Sequence, residues 1–250
     1  NIRRGKGFAC FLYGTGTGMP TDGAHCFVQA QLDGSLNVGI SSNELGQGLL
    51  TAMAQIAADA MGIPKEKVYL DFSDSAASAE AGATVASRTT TLMGNAIVNG
   101  CKILRERFLK VAAPMLNSAP ENLDIEEGIV FSSGRKDQGI PLSAVIAKAF
   151  ASQVPLAAVG SWYPPMTYPN AVNQGDKMHT YTFGAQAAIV AVNVQTGEIT
   201  VEDTVLACDV GKAINPDTVE AQMHGGMAQA IGWALLEAVS YTHLTLPTTA

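Results

Sequence analysis

The tightest constraint on the fold lies in Glu44-Leu-Gly-Gln-Gly-Leu-Leu-Thr-Ala-Met53, where an extended segment passes into a helix within a few residues. Gly46-Gln47-Gly48 opens directly onto a helix whose Leu49, Met53, Ile56, Ala57 and Ala60 form one apolar stripe. Gly62 and Pro64 end that helix in the order expected of a C-terminus. A glycine turn feeding a helix start presents backbone N–H groups to an anion. Upstream, Ala24–Leu32 and Ser35–Ser42 read as strands around Asp33-Gly34, a hairpin signal.

The rest of the chain continues the mixture. Gly7–Tyr13 reads as a strand, and Gly14-Thr-Gly-Thr-Gly18 as a turn, because the dinucleotide fingerprint has other spacing and a helix after it. Val68–Phe72 is a short strand, followed by a small-residue loop over 73–84. A long helix is expected from about Ser87 to Leu116, with Leu92, Ile97, Cys101, Leu104 and Phe108 inward. Ile125–Phe131 reads as a strand and Pro141–Ala151 as a helix. Phe183–Val194 and Ile199–Cys208 flank a hairpin at Thr196-Gly197. Asn215 as N-cap, Pro216 in the first turn and Asp217 at the positive end of the dipole start a last helix. With no fixed repeat, this order predicts an α+β fold of mixed sheets with packed helices rather than an alternating parallel sheet. It is read as one domain over 1–239, or as two subdomains divided near 120–155.

Hydrophobic residues make up 47% of the 250 residues and charged ones 15%, enough apolar material for a sizeable core. A net charge of −7 without a basic run argues against nucleic acid, and Arg3-Arg4 and Arg105-Glu-Arg107 are expected on solvated faces. Cys10, Cys26, Cys101 and Cys208 lack metal-type spacing and are expected as reduced, mostly buried thiols. Without an apolar run long enough for a span or a leader pattern, a cytoplasmic location is expected.

Two further segments have the character of the first. Thr84-Val-Ala-Ser-Arg-Thr-Thr-Thr-Leu-Met-Gly-Asn-Ala96 opens the long helix, with Ala86, Ser87, Arg88 and Thr89 as a phosphate seat. Asp209-Val-Gly-Lys-Ala-Ile-Asn-Pro216 runs into His224-Gly-Gly-Met-Ala-Gln-Ala-Ile-Gly232, where Gln229 lies among glycines that are poor choices inside an ordinary helix. Simpler readings stand beside each: a tight turn with an incidental Gln47, Ser87 as a plain N-cap, and Gln229 as a surface residue. His224 has no second ligand at metal spacing. Glu44, Asp74, Glu80 and Asp209 form no obvious acid–base pair.

In this order and spacing the three segments resemble the molybdenum-cofactor domain of the xanthine dehydrogenase and aldehyde oxidase family, from about Gly5 to Glu237. The resemblance implies that Gly46, Gln47 and Gly48, with Gln229, contact molybdopterin, and that Ala86, Ser87 and Thr89 hold its phosphate end. Arg88 is a candidate phosphate partner that many relatives lack. Ala221 and Ala230 stand where glycine is commoner in the family. The resemblance further implies a cofactor in mononucleotide or cytosine dinucleotide form, whose dithiolene sulfurs hold the molybdenum so that no protein side chain ligates the metal. The implied activity is hydroxylation of a purine, N-heterocycle or aldehyde with oxygen from water. Electrons would leave through 2Fe-2S clusters and FAD on other domains or subunits of a hetero-oligomer. Nicotinate or carbon monoxide oxidation, aromatic acyl-CoA reduction and a degenerate cofactor-binding relative are the alternatives.

The family's general-base glutamate, in a Gly-x-Gly-Glu segment, and its Gly-Gly-Phe-Gly-Gly segment are not found in this sequence, so an internal fragment without a catalytic residue is expected. From Ser240, Tyr-Thr-His-Leu-Thr-Leu-Pro-Thr-Thr-Ala250 resembles a translated sequencing-adapter tail, and 240–250 are expected to lie outside the native fold.

Overall fold

A computed structural model describes residues 1–18, 22–72, 74, 76, 78–165, 172, 174, 175 and 178–237. The tail expected to be non-native lies outside these residues. Two compact units emerge, one from Asn1–Leu12 with the described part of Phe183–Ala250, the other from Tyr13–Thr182. Residues 120–155 fall within the second.

The larger unit is built on a four-stranded sheet in the order β4-β3-β2-β8, from β2 (Ala24–Ala30), β3 (Leu36–Ile40), β4 (Val68–Phe72) and β8 (Ala157–Trp162). β2 pairs antiparallel with β3 and β8, whereas β3 runs parallel to β4 because the helix α1 (Leu49–Met61) carries the chain across. Alternation puts Ala24, Cys26, Val28 and Ala30 with Leu36, Val38 and Ile40 in the core, while Phe27, Tyr69 and Val159 remain exposed. α2 (Thr89–Met115) covers the inner face with Leu92, Ala96, Ile97, Cys101, Leu104 and Phe108, spaced to face one side.

The approach of α2 is close. A Cβ on Gly160 of β8 would lie 2.0 Å from the Ala96 carbonyl oxygen, and one on Gly100 would lie 2.9 Å from Val28. Only hydrogen fits at Gly160. The helix is held at its other end by Arg105, whose guanidinium donates to the carbonyls of Met61 and Ile125 and pairs with Asp124. Arg107 donates to the Ala157 carbonyl. These arginines therefore stitch elements together instead of simply covering a solvated face.

The expected strand Ile125–Phe131 is instead a hairpin of β5 (Leu123–Glu126) and β6 (Ile129–Ser132), turned by Glu127 and Gly128, both at positive φ. β7 (Ile140–Pro141) completes this small sheet, and α3 (Leu142–Ala151) buries Leu142, Val145, Ile146 and Ala149. β8 was not anticipated.

The other unit holds β1 (Ile2–Gly14), β9 (Tyr181–Asn193) and β10 (Ile199–Asp209) in the order β1-β9-β10, followed by α4 (Pro216–Leu236). Asn215 caps α4 as expected, its Oδ1 accepting from Thr218 N at 3.2 Å. None of the α4 residues is buried, and Phe8, Phe183, Val205, Trp233 and Leu236 are exposed. Among the described residues, no helix is long and apolar enough to cross a membrane.

Of the four cysteines, Cys26 and Cys101 are buried, Cys10 is exposed and Cys208 is half-buried. Burial pushes the Cys26 and Cys101 thiols up to about 12, with the neighbouring Cys26 adding to the effect at Cys101. An alkylating reagent should therefore modify Cys10 first in the native protein, and Cys26 and Cys101 only after denaturant is added. Peptide mapping that finds Cys26 or Cys101 labelled as fast as Cys10 would contradict this packing.

Candidate functional site

Between β3 and α1 the chain turns sharply, with Gly46 at φ 100° and Gly48 at φ 79°, conformations that glycine adopts without a Cβ clash. The intervening side chains close the turn on itself. Glu44 Oε1 accepts the N–H groups of Gly46 (2.9 Å) and Gly48 (3.0 Å), and its Oε2 accepts that of Leu50 (3.0 Å). Gln47 Oε1 accepts from Leu45 N at 2.5 Å, while its Nε2 donates to the Asn43 carbonyl at 2.9 Å. Desolvation pushes the Glu44 carboxyl up, but the N–H groups of Leu50, Gly48, Gly46 and Leu49 outweigh it and hold it below its ordinary value. The N–H groups expected to face an anion at α1 are thus largely taken by a carboxylate of the same loop.

The turn before α2 has a different character. Ala86 and Ser87 are both at φ 52°, a left-handed pair costing about 1–2 kcal/mol per residue. Ser87 is not the N-cap that its sequence position suggested; Arg88 takes that place and makes no side-chain cap bond. α2 begins at Thr89, with Ser87 exposed and Thr89 half-buried.

Arg88 explains how the strained pair is held. It is 4% exposed, and its Nε donates to Asp22 Oδ1 at 2.7 Å. Its Nη1 reaches the carbonyls of Ala81 (2.6 Å) and Ala83 (2.8 Å), and its Nη2 that of Gly23 (2.7 Å). The guanidinium, considered as a phosphate partner, is directed inward instead. Asp22 Oδ2 accepts the Thr17 N–H at 2.8 Å, and Gly16 N donates to the Ala86 carbonyl at 3.0 Å. The loop Gly14–Gly18, the turn at Ala86 and the start of α2 therefore converge on one ion pair.

One further bond brings the two glycine- and small-residue segments together: Asn43 N donates to Thr84 Oγ1 at 2.9 Å. Gly46–Gly48 and Ala86–Thr89 thus flank joined points of the chain. Beside the junction, among the described residues, Ser41 Oγ is buried without a hydrogen-bond partner and a Cβ on Gly46 would have nothing within 4 Å. An orphaned hydroxyl, open space over a glycine and an uncapped helix start are features a polar, phosphate-bearing ligand can satisfy. The residues present fit molybdopterin in that sense. Gln229 is exposed on α4, in the other unit, where Gly225, Gly226 and Gly232 also have open space at their Cβ positions. His224 stands exposed 3.8 Å from Glu220. Among the described residues, no cluster of His, Cys, Asp and Glu could hold a metal ion.

Sequence reasoning missed Glu44, Thr84 and Asp22 as organisers. Glu44 had a local signal, a carboxylate ahead of a helix start, whereas Asp22 and Arg88 lie 66 positions apart and have none.

Comparison with known proteins shows the family. Residues 1–249 match the family model described as a molybdopterin cofactor-binding domain. The large subunit of nicotine 6-hydroxylase from Paenarthrobacter nicotinovorans is 30% identical over 246 residues, covering 95% of this chain and 30% of that protein. A probable xanthine dehydrogenase subunit from Bacillus subtilis is 30% identical over 242 residues, covering 96% and 31%. The crystal structure of quinoline 2-oxidoreductase from Pseudomonas putida 86 superposes with a TM-score of 0.84 at 29% identity, covering 96% of this chain and 31% of that one. The chain spans just under a third of the length of these two curated relatives.

Proposed function

We propose that this chain, which belongs to the molybdopterin cofactor-binding domain family, seats that cofactor between Gly46-Gln47-Gly48 and Ala86–Thr89 within a larger molybdenum hydroxylase. The observation that carries the reading is the Asn43–Thr84 bond, which ties the Gly-Gln-Gly loop to the uncapped start of α2. The N–H groups of the first α2 turn, with the Ser87 and Thr89 hydroxyls, suit the phosphate end. The Gln47 amide, already oriented by Asn43 and Leu45, suits the heterocycle. For Gln229, on α4 of the other unit, the support is the family resemblance alone. Arg88 contributes from behind, fixing the turn. When bound, the molybdenum group supplies two-electron redox chemistry. This chain's own residues bind and orient it.

The substrate we favour is an N-heterocycle or purine, since the similar proteins are named for nicotine, quinoline and xanthine; aldehyde oxidation is the sister possibility within the family. Iron–sulfur and FAD carriers on other subunits would accept the electrons, in a hetero-oligomer. In a holoenzyme that contains this chain, Gln47→Ala and Gln229→Ala should each weaken cofactor binding by about 1–3 kcal/mol, the cost of a lost hydrogen bond to a buried polar group. Metal and pterin analysis reads this out; unchanged molybdenum content in Gln47→Ala would refute the seat, and in Gln229→Ala the contact from α4.

A further inference from the structure

We infer that Glu44 is a positioning residue for the cofactor loop, a role that rests on the proposed seat and concerns how the loop is built rather than what it touches. A single carboxylate gathers the N–H groups of Gly46, Gly48 and Leu50, so one side chain sets the backbone on both sides of Gln47. Gly46 and Gly48 are the two points where this loop could most easily change course, because glycine has the largest conformational space to lose. The carboxylate removes that freedom. Gln47 then closes the remaining gap by bonding to Leu45 and Asn43, which fixes its amide before any ligand arrives.

The charge has a second consequence. Glu44 offsets the positive end of the α1 dipole, whereas no side chain caps the start of α2. An anionic group entering the seat meets a carboxylate at one helix start and free donors at the other. Glu44 thereby sorts the ends of the ligand, turning its phosphate toward Ala86–Thr89 and its uncharged face toward Gln47.

The test compares Glu44→Ala, Glu44→Gln, Gln47→Ala and Ala54→Gly in a holoenzyme that contains this chain. Molybdenum and pterin content are measured under limiting cofactor, together with hydrogen exchange at the Gly46, Gly48 and Leu50 amides. Glu44→Ala should lose about tenfold in occupancy and in amide protection, the equivalent of one hydrogen bond to a charged group. Glu44→Gln keeps one oxygen acceptor without the charge and should recover part of both. Ala54→Gly weakens α1 itself without touching the loop, and should retain cofactor. Full occupancy in Glu44→Ala beside a loss in Gln47→Ala overturns the positioning role alone. Full occupancy in Gln47→Ala overturns the seat. An equal loss in Ala54→Gly shows a helix-stability effect and also overturns the positioning role.

Discussion

Replacing Asp22 by alanine should destabilise the Tyr13–Thr182 unit by about 3–5 kcal/mol, the usual cost of removing one partner of a buried ion pair. Asp22 and Arg88 have side chains only 5% exposed, so neither solvent nor salt can take over the missing charge. The variant leaves a guanidinium facing three carbonyl oxygens and no anion. It also removes the carboxylate that accepts from the Thr17 N–H and releases one of the restraints on the strained pair Ala86-Ser87. Urea unfolding should show the loss as a lower midpoint, with cofactor retention falling in parallel. Pairing it with Arg88→Met should restore only part of the stability, since the charge is gone but the carbonyls of Gly23, Ala81 and Ala83 lose their donor. A loss below about 1 kcal/mol in Asp22→Ala would mean that the pair is solvated and does not organise the turn.

Gly160→Ala should be as damaging from the addition of one methyl group. The new Cβ would sit 2.0 Å from the Ala96 carbonyl oxygen and 2.7 Å from the Gly100 nitrogen, both backbone atoms of a helix that cannot swing aside like a side chain. α2 would have to move away from β8, opening the layer occupied by Val28, Ile97 and Cys101. Overpacking of this kind costs about 1–3 kcal/mol where side chains can yield, and more is expected against backbone. Gly46→Ala offers the contrast, with nothing within 4 Å of its Cβ. Its cost is confined to the positive φ of 100°. Thermal unfolding of the two variants compares a packing clash with a conformational penalty. A Gly160→Ala protein as stable as Gly46→Ala would show that α2 and β8 are not in close contact.

The α+β class, the hairpin at Asp33-Gly34, the helix after Gly48, the strand Val68–Phe72 and the Asn215 cap were legible because each is specified by neighbours within one or two turns. β8 was not, since Ala157-Ala-Val-Gly-Ser-Trp162 carries no alternation and its glycine is there for a helix distant in sequence. The hairpin at Glu127-Gly128 was hidden because a glutamate takes a left-handed conformation there. In the site, the segments that would touch a ligand could be read from their glycines and small residues. What holds them could not: the Asp22–Arg88 pair and the Asn43–Thr84 bond are made by residues 66 and 41 positions apart.

The unit built from β1, β9 and β10 is discontinuous, its first segment ending at Leu12 and its remainder beginning at Phe183. A ribosome therefore releases β1 before the intervening unit, with Phe8 and Leu12 unpaired, and supplies its partner strand only after that whole unit has been made. At ribosomal rates that wait is on the order of ten seconds or more, long compared with the folding of the intervening unit. Over that interval the nascent chain carries an unpaired strand with exposed apolar residues beside the Tyr13–Thr182 unit, which favours engagement by a holdase until β9 arrives.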